Sequence, residues 1–429
     1  MKRIIVFALT ACLTASLAPD SGHTDDLRVI SLEARLLPRE APAARELDIL
    51  MEKDGRLYIV STPRDRATLD ALGIRFAFEP SYSGLPAAGP AAAGGGLNGD
   101  YHSYPELEAE LLELEAAYPG LAAVHILGQS LEGRNIYGLK ISDNVGLDED
   151  EAEVLFLGCH HAREWISVEV PLLIARHLLE NRTVDSRVRD VVDRSETWIV
   201  PLVNPDGLEY SIHVYRYWRK NRRANDDGSF GVDLNRNYGY EWGRDNSGSS
   251  PLPQSAVYRG TAPFSEPESA AVRDFVGLRS FLGLVSYHSY GQIILYPWGY
   301  ARIPVEGEGA ERMKALAEGM SGRLEAYRGT RYAFGQASYS LYLTNGDTTD
   351  WAFGDHGIPA YTIELSPVSD QDGGFFNAET EILPIFYENL EAALYLIEDC
   401  IAVYVPPATD GRAENRPDNR ASGGARGGR

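Results

Sequence analysis

The fold of this chain is decided by the stretch Val154-Leu155-Phe156-Leu157-Gly158-Cys159-His160-His161-Ala162-Arg163-Glu164-Trp165. Its four leading apolar residues predict a buried strand, and the apolar pattern of residues 166–181 predicts a helix after it. Between strand and helix, His161 and Glu164 stand three residues apart. Such a pair chelates a metal ion locally when a distant residue supplies a third ligand. On its own, a His and a Glu at this spacing are more often ordinary loop residues, so the metal hypothesis depends on that third residue.

A candidate for the third ligand follows a second apolar run. Leu282 to Ser286 predicts another strand, and His288 comes two residues after it. Functional sites in open α/β sheets gather at the carboxyl ends of the strands, so we expect His161, Glu164 and His288 to meet at one edge. Two histidines and a glutamate are a donor set of catalytic zinc, which keeps one position for water. The alternative for His288 is a histidine buried in the core.

A single carboxylate interrupts the apolar, strand-like run Tyr361-Thr362-Ile363-Glu364-Leu365. Burying a charge in such a run is costly unless the charge has a partner or a function. We interpret Glu364 as a general base toward a water on the zinc. The alternative is a glutamate on an edge strand that faces solvent.

Two motifs bring together side chains that could hold a carboxylate. One is Arg216-Tyr217-Trp218-Arg219-Lys220, which follows a predicted turn at residues 204–207, and the other is Gly231-Val232-Asp233-Leu234-Asn235-Arg236-Asn237. A guanidinium fork binds a carboxylate through two hydrogen bonds, and an amide adds a further donor. Each motif alone is most often a solvated loop. Together with the metal ligands they indicate a substrate that carries a carboxylate.

The remaining pattern predicts a domain order. Residues 100–404 alternate strand-like and helix-like segments, which predicts an α/β domain with a mixed central β-sheet flanked by helices. Residues 19–84 predict a small α+β unit, interpreted as a propeptide domain, with a permanent accessory domain as the alternative. Residues 85–99 form a linker rich in Gly, Ala and Pro that favours proteolytic cleavage. Residues 405–429 predict a disordered tail.

The first 18 residues predict an export signal, because two basic residues precede a short apolar core. The protein would then be secreted or periplasmic. A lipoprotein-like box ending at Cys12 makes lipid attachment a lesser alternative. Removal of the signal would leave Cys159 and Cys400, either as a disulfide or as two buried thiols.

The net charge argues against nucleic acid as a partner, and the hydropathy argues against a transmembrane segment. The formal net charge of -22 argues against nucleic acid, since little here would offset a polyphosphate. No stretch after the signal is apolar for long enough to cross a bilayer.

One local prediction concerns a helix start: Ser265 and Glu268, with Pro267 between them, predict a capping box for a helix that continues to Leu278.

In this order, the motifs resemble those of the zinc metallocarboxypeptidases of the carboxypeptidase A/B type, with carboxypeptidase T as the nearest member. The resemblance covers roughly residues 100–402. Carboxypeptidase A is itself a standard example of the zinc site with two histidines and a glutamate, so that pattern is not an independent prediction. The resemblance implies one Zn²⁺ per catalytic domain, bound by His161, Glu164 and His288, with Glu364 as the catalytic glutamate.

The resemblance also implies roles toward the substrate. Arg219 would polarise the scissile carbonyl and stabilise its oxyanion. Asn235 and Arg236 would bind the substrate's terminal carboxylate. Arg163 and Tyr290 would lie in the outer subsites.

Further implied roles concern the shape of the cleft. Tyr342 matches the family's mobile tyrosine, which closes over the substrate, and Phe375 or Phe376 would supply an aromatic edge. Thr349 takes the position of the family's pocket floor, with Asp347 two residues before it. Neutral Thr349 favours apolar side chains, whereas Asp347 could reach a cation, so we expect mixed specificity.

The resulting hypothesis is an exported zinc metallocarboxypeptidase that hydrolyses the C-terminal peptide bond of peptides and proteins. Its preference would be for hydrophobic and, to a lesser extent, basic terminal residues. We expect a monomer whose partners are substrates with a free C-terminus and an activating protease. The alternatives are a carboxypeptidase that trims cell-wall peptides and an inactive zinc-binding homologue that serves as a binding module.

Overall fold

The computed structural model describes residues 28–37, 47–53, 56–61, 63–78, 98–369, 372–406 and 416–417. The predicted export signal with Cys12, nearly all of the predicted linker and most of the predicted tail lie outside the described residues. The described part contains a four-stranded sheet, an eight-stranded sheet and a two-stranded ladder.

The N-terminal part is a small α+β unit with its own apolar core. Its elements are the strands β1 (Arg28–Glu33), β2 (Asp48–Lys53), β3 (Arg56–Ser61) and β4 (Phe76–Phe78), with the helix α1 (Pro63–Ala71). The strand order is β2-β3-β1-β4, and the pairs are antiparallel. Ile30, Leu32, Leu57, Ile59 and Leu69 are buried together in its core. One buried face per element is what such a layered unit requires.

The larger sheet is mixed, as predicted. The strands of this part of the chain are β5 (Ala122–Gln129), β6 (Asn135–Ile141), β7 (Leu147–Asp148), β8 (Ala152–Leu157), β9 (Ser195–Val200), β10 (Phe281–Ser289), β11 (Ile293–Tyr296), β12 (Ala333–Gln336), β13 (Ala360–Leu365) and β14 (Arg416–Pro417). The spatial order is β12-β11-β13-β10-β8-β9-β6-β5. The four central strands β13, β10, β8 and β9 run parallel, whereas β11, β6 and β5 each form an antiparallel pair. β7 and β14 form the separate ladder.

Helices cover both faces of this sheet. They are α2 (Tyr104–Ala117), α3 (Ile166–Asn181), α4 (Ser186–Val192), α5 (Pro205–His213), α6 (Pro267–Val276), α7 (Glu308–Arg328), α8 (Ala337–Ser340), α9 (Thr348–His356) and α10 (Ile382–Val403). The core on one face is built with α2, α3, α4, α7 and α10, and the core on the other with α6 and α9. A central parallel sheet buried on both faces explains why its strands are almost continuously apolar.

Strand β8 shows how the alternation of side chains builds the two cores. Val154 and Phe156 belong to the core of α3 and α10, and Leu155 and Leu157 belong to the core of α6 and α9. All four side chains are fully buried. Truncating Phe156 to Ala would therefore cost about 3–5 kcal/mol of stability.

Two local predictions were wrong. The predicted turn at residues 204–207 is the first turn of α5, where Asn204 Oδ1 accepts from Gly207 N–H (3.0 Å). The predicted capping box does not form, because α6 begins after Glu266. Ser265 Oγ instead accepts from Asn237 Nδ2 (2.9 Å) and donates to Glu266 Oε1 (2.8 Å).

The structure also answers the question left open by the two cysteines. Cys159 and Cys400 are free, buried thiols, so the disulfide alternative was wrong. Within the described ranges, no helix is both long and apolar enough to span a bilayer.

Candidate active site

The parallel strands deliver the predicted site residues to one edge of the sheet. The segment after β8 carries His161 and Glu164, and β10 carries His288 inside the strand rather than after it. His288 is paired in register with Glu364 of β13, so both side chains project to the same face of the sheet. That face also carries Thr362, because side chains alternate along the strand.

The segment between β8 and α3 is fixed by its backbone. A Cβ atom on Gly158 would lie 2.2 Å from Ser167 O and 2.6 Å from Pro201 O, so only glycine fits. Cys159 adopts a left-handed φ of 51°, and its N–H donates to Ser167 Oγ (3.1 Å). These contacts hold the turn that presents His161 and Glu164.

His161, Glu164 and His288 form a buried group whose ligand atoms all lie within 4.8 Å of one another. His161 Nδ1 lies 2.8 Å from Glu164 Oε1, and His288 Nδ1 lies 3.0 Å from Glu164 Oε2. The two imidazole Nδ1 atoms are 3.1 Å apart. Ligands of a tetrahedral zinc ion are separated by about 3.3 Å, so these three side chains fit a zinc ion.

Outer partners leave both Nδ1 atoms available to a metal ion. His161 Nε2 lies 3.1 Å from Asp233 Oδ1, and His288 Nε2 lies 3.0 Å from Ser286 Oγ. A histidine that donates from Nε2 carries its lone pair on Nδ1, which is the arrangement of metal-binding histidines. The other oxygen of Asp233 accepts from Arg219 Nε (3.1 Å) and Nη2 (2.8 Å).

The local charges match a ligand role for Glu164. Burial opposes ionisation, but His161 and His288 hold the pKa of Glu164 below its usual range. Two other groups, Asp143 with Glu149 and Glu151, and Asp148 with Glu153 and Glu196, also bring three possible ligand atoms together. Both are purely carboxylate sets, whereas catalytic zinc uses histidine with a carboxylate. Among the described residues, only the first group fits catalytic zinc.

His160 contributes to the scaffold rather than to this group. Its Nε2 lies 2.8 Å from Tyr238 Oη, and its Nδ1 lies 3.2 Å from Ser286 Oγ. Of the two neighbouring histidines, His161 is therefore the one that lies with Glu164 and His288.

Glu364 lies inside the sheet, not on an edge strand. β13 runs between β10 and β11, and the half-buried Glu364 side chain faces the site. Burial and the Glu164 carboxylate raise the pKa of Glu364 well above its ordinary value. The interpretation as a solvent-facing glutamate was wrong.

Seven of the predicted residues line one pocket: His161, Asn235, Arg236, Tyr342, Asp347, Thr349 and Glu364. Asn235 Oδ1 accepts from Thr348 N–H (2.9 Å), which orients the amide. Buried Arg236 donates from Nε to Gly248 O (2.9 Å) and from Nη1 to Asn235 O (2.7 Å), which fixes its guanidinium at the pocket.

The predicted specificity residues have well-defined partners. Asp347 caps α9, and its Oδ1 accepts from Asp350 N–H (2.8 Å) and Thr349 Oγ1 (3.0 Å). Its Oδ2 accepts from Thr344 Oγ1. Tyr342 is 43% exposed, in keeping with a side chain that can move.

The two predicted outer residues contact the same ring. The Arg163 guanidinium lies 4.4 Å from the centre of the Phe375 ring, and the Tyr290 ring packs against Phe375 at 4.8 Å. Phe376 packs instead on Tyr217 (4.6 Å). Of the two phenylalanines considered, Phe375 is therefore the one that faces these residues.

Sequence reasoning missed Asp233 as the residue that joins His161 to Arg219. It stands in the quoted segment 231–237, but one aspartate in a polar loop gives no signal of burial.

Comparisons with known proteins agree with this geometry. The profile of the zinc carboxypeptidase family matches residues 107–392. A zinc carboxypeptidase of Saccharothrix mutabilis subsp. capreolus is 32% identical over 428 residues, covering 93% of this chain and 97% of its own. Carboxypeptidase B of Astacus astacus is 35% identical over 301 residues, covering 68% of this chain and 94% of its own.

A solved structure shows the same fold. The carboxypeptidase A of Helicoverpa armigera superposes with a TM-score of 0.73 at 26% identity, covering 88% of this chain and 98% of its own. The chain therefore belongs to the zinc carboxypeptidase family and is a metallocarboxypeptidase, a peptide hydrolase with one catalytic zinc.

Proposed function

We propose that this enzyme removes single residues from the C-termini of peptides, with His161, Glu164 and His288 as the zinc ligands and Glu364 as the general base. The observation that carries the proposal is a single pocket lined by a metal ligand, the base and an Asn–Arg pair. An inactive binding module would not need the base. Bound zinc supplies Lewis-acid chemistry toward water and the scissile carbonyl.

Glu364 and Arg219 have complementary roles in the reaction, one toward a proton and the other toward the negative charge on the carbonyl oxygen. Glu364 takes a proton from the attacking water and passes it to the departing amine. Arg219 donates to the carbonyl oxygen as negative charge develops there. Asp233 positions Arg219 for this step, and it also lies within hydrogen-bond distance of His161 Nε2, so it connects Arg219 to a proposed zinc ligand.

Asn235 and Arg236 set the cleavage position. Together they offer an amide and a guanidinium nitrogen to the terminal carboxylate of the substrate, beside Glu364 in the same pocket. Only a chain end presents a free carboxylate there, so the bond within reach of the base is the last peptide bond. Tyr342 closes over the bound end.

We propose a preference for apolar terminal residues, with basic residues accepted less readily. The apolar side chains Leu295, Ala337 and Leu341 also line this pocket. Asp347 adds one negative charge, but Thr344, Thr349 and the α9 backbone already occupy its oxygens. A terminal Lys or Arg therefore gains attraction at the cost of weakening these bonds.

A panel of peptides that differ only in the last residue tests this preference. We expect kcat/KM to fall in the order Phe or Leu, Arg, Glu. The Thr349→Asp variant should shift the ratio toward Arg by about tenfold or more, since a second carboxylate faces the pocket. A wild-type preference for terminal Glu would contradict the proposed preference for apolar and basic terminal residues.

We propose further that residues 19–84 are a propeptide and that the enzyme is exported. The support is a separate sheet with its own core, a cleavable linker composition and the N-terminal signal pattern. Limited proteolysis of the linker should raise kcat/KM on a blocked dipeptide at least tenfold. Full activity of the uncut chain would contradict an inhibitory propeptide.

A further inference from the structure

We propose that His160 is a positioning residue that links the proposed zinc ligand His288 to the proposed carboxylate-binding residue Asn235 through one chain of hydrogen bonds. The chain consists, in order, of His288, Ser286, His160, Thr348 and Asn235. The inference rests on the proposed function, because it takes the roles of His288 and Asn235 from there.

The end of the chain at Asn235 is fixed by the backbone. Thr348 N–H donates to Asn235 Oδ1 (2.9 Å), which identifies this atom as the oxygen of the amide. Thr348 Oγ1 donates to the same oxygen (2.8 Å). Because its proton is used in this way, the Thr348 hydroxyl oxygen can only accept from His160 Nε2, which lies 3.2 Å away.

This bond determines where the His160 ring carries its proton. The ring is fully buried, and an unpaired buried charge is costly, so the ring is neutral and its one proton is on Nε2. Tyr238 Oη, 2.8 Å from the same nitrogen, offers this N–H a second acceptor. His160 Nδ1 then carries a lone pair and accepts from Ser286 Oγ (3.2 Å).

The same order of donors and acceptors reaches the metal site. Since the Ser286 hydroxyl donates to His160, its oxygen accepts from His288 Nε2 (3.0 Å). His288 therefore carries its lone pair on Nδ1, the atom that lies 3.0 Å from Glu164 Oε2 and 3.1 Å from His161 Nδ1. The tautomer that a metal ion needs is thus set through His160.

The chain also orients the amide of Asn235 toward the substrate. Both bonds from Thr348 go to Oδ1, so the donor Nδ2 is on the other side of the amide. Nδ2 lies 3.4 Å from His288 Nε2, but in this order both nitrogens carry protons and do not bond to each other. Because Asn235 lines the pocket, Nδ2 can donate to a carboxylate. Loss of His160 would therefore weaken both zinc binding and the binding of a free chain end.

Three substitutions of His160 separate the two halves of the chain. Leucine fills the space of the ring and makes no hydrogen bond. The amide of asparagine reaches the position of the ring Nδ1, and the amide of glutamine reaches that of Nε2. His160→Asn therefore keeps the bond to Ser286, whereas His160→Gln keeps the bond to Thr348.

The test measures zinc affinity by chelator titration and KM for acetyl-Ala-Phe on the activated enzyme. We expect His160→Leu to weaken zinc binding about tenfold and to raise KM about tenfold. His160→Asn should raise KM by the same factor and leave zinc affinity within about twofold of wild type. His160→Gln should weaken zinc binding and leave KM within about twofold of wild type.

Thr348→Val tests the other end of the chain, since it removes only the hydroxyl. It should raise KM as His160→Asn does, and it should raise KM no further in the His160→Asn background.

His177→Leu is the matched control. His177 is a half-buried histidine of α3 whose Nδ1 lies 3.2 Å from Asn181 Nδ2, outside the chain. This variant should change neither zinc affinity nor KM by more than about twofold.

Zinc affinity and KM that change together in His160→Asn and in His160→Gln would indicate a general loss of packing and would overturn the positioning role. Wild-type values in His160→Leu would overturn it as well. If the His160 variants fail to fold, Thr348→Val decides the matter, and an unchanged KM would overturn the chain. Absence of wild-type activity would instead contradict the proposed function, and the zinc titrations, which need no turnover, would still test the link from His160 to His288.

Discussion

Asp233 holds His161 with one carboxylate oxygen and Arg219 with the other. Burial opposes its ionisation, but the Arg219 guanidinium holds the pKa of Asp233 well below its usual range. Asp233→Asn keeps the shape and removes the charge. We expect zinc affinity to fall about 10–100-fold, as for other outer partners of metal-binding histidines, and kcat to fall with it. Chelator titration of the purified enzyme measures the affinity.

Asp206→Asn is the control for this change. Asp206 is also a buried aspartate, but it accepts from Ser130 Oγ (2.6 Å) and Arg134 Nη1 (2.7 Å), outside the zinc group. It should lower stability without weakening zinc binding. Equal zinc affinity in wild type and Asp233→Asn would contradict the orienting role.

The pH dependence of the reaction follows from Glu364. Burial and the nearby Glu164 carboxylate raise its pKa above the ordinary value of 4.5. A general base works only when deprotonated, so kcat/KM should fall as the pH decreases through this raised pKa, tenfold per pH unit below it. A pH profile of kcat/KM on a blocked dipeptide checks the position of this acid limb. Constant activity down to pH 4.5 would rule out Glu364 as the titrating base.

At the scale of elements, His102 joins α2 to α3. Its ring nitrogens lie 2.8 Å from Glu110 Oε2 and 2.8 Å from Glu169 Oε2. Burial lowers the pKa of His102, but the two carboxylates outweigh it and raise the pKa to about 10. The contribution to stability is therefore complete below the unfolded-state pKa of 6.5 and is lost as the pH rises toward 10.

Replacing His102 by Gln should lower the free energy of unfolding by about 1–3 kcal/mol at pH 6, because charged hydrogen bonds are lost. The difference from wild type should shrink between pH 6.5 and 10. Urea unfolding at several pH values measures it. His213→Gln, which removes a half-exposed histidine paired with Glu209, is the control and should change little. A difference independent of pH would contradict the ionic account.

The elements that sequence could predict are those buried on both faces or strongly amphipathic. β8, β10 and β13 are apolar runs, and α3 was predicted with its observed bounds. α7 was not predicted, since Gly319 and Gly322 lie inside it. In the structure, a Cβ on Gly319 would lie 2.4 Å from the Tyr395 ring, so glycine lets α10 approach. The capping box does not form because α6 begins after Glu266 and the Ser265 hydroxyl bonds to Asn237 and Glu266 instead.

At the scale of the whole molecule, the grouping of His161, Glu164 and His288 with Glu364 nearby could be predicted because each follows or interrupts an apolar strand. The carboxyl ends of parallel strands lie at the same edge of a sheet, so the strand assignments alone predict that these residues meet. The side chains that hold these site residues in place from outside the group could not be predicted. Asp233 lies in a polar loop, and only its burial and contacts distinguish it from a solvated side chain. Long-range contacts of this kind leave no periodic signal in sequence.

The central claim is that Glu364 acts as base in a zinc site that recognises a free chain end. The most direct test incubates wild type and Glu364→Gln with one peptide as free acid and as C-terminal amide, followed by mass spectrometry and metal analysis. The wild type should remove single residues from the free acid and spare the amide. Glu364→Gln should retain one zinc per chain yet turn over about 10²–10⁴-fold more slowly. Near-wild-type turnover by Glu364→Gln, or equal cleavage of the amide by the wild type, would contradict the account.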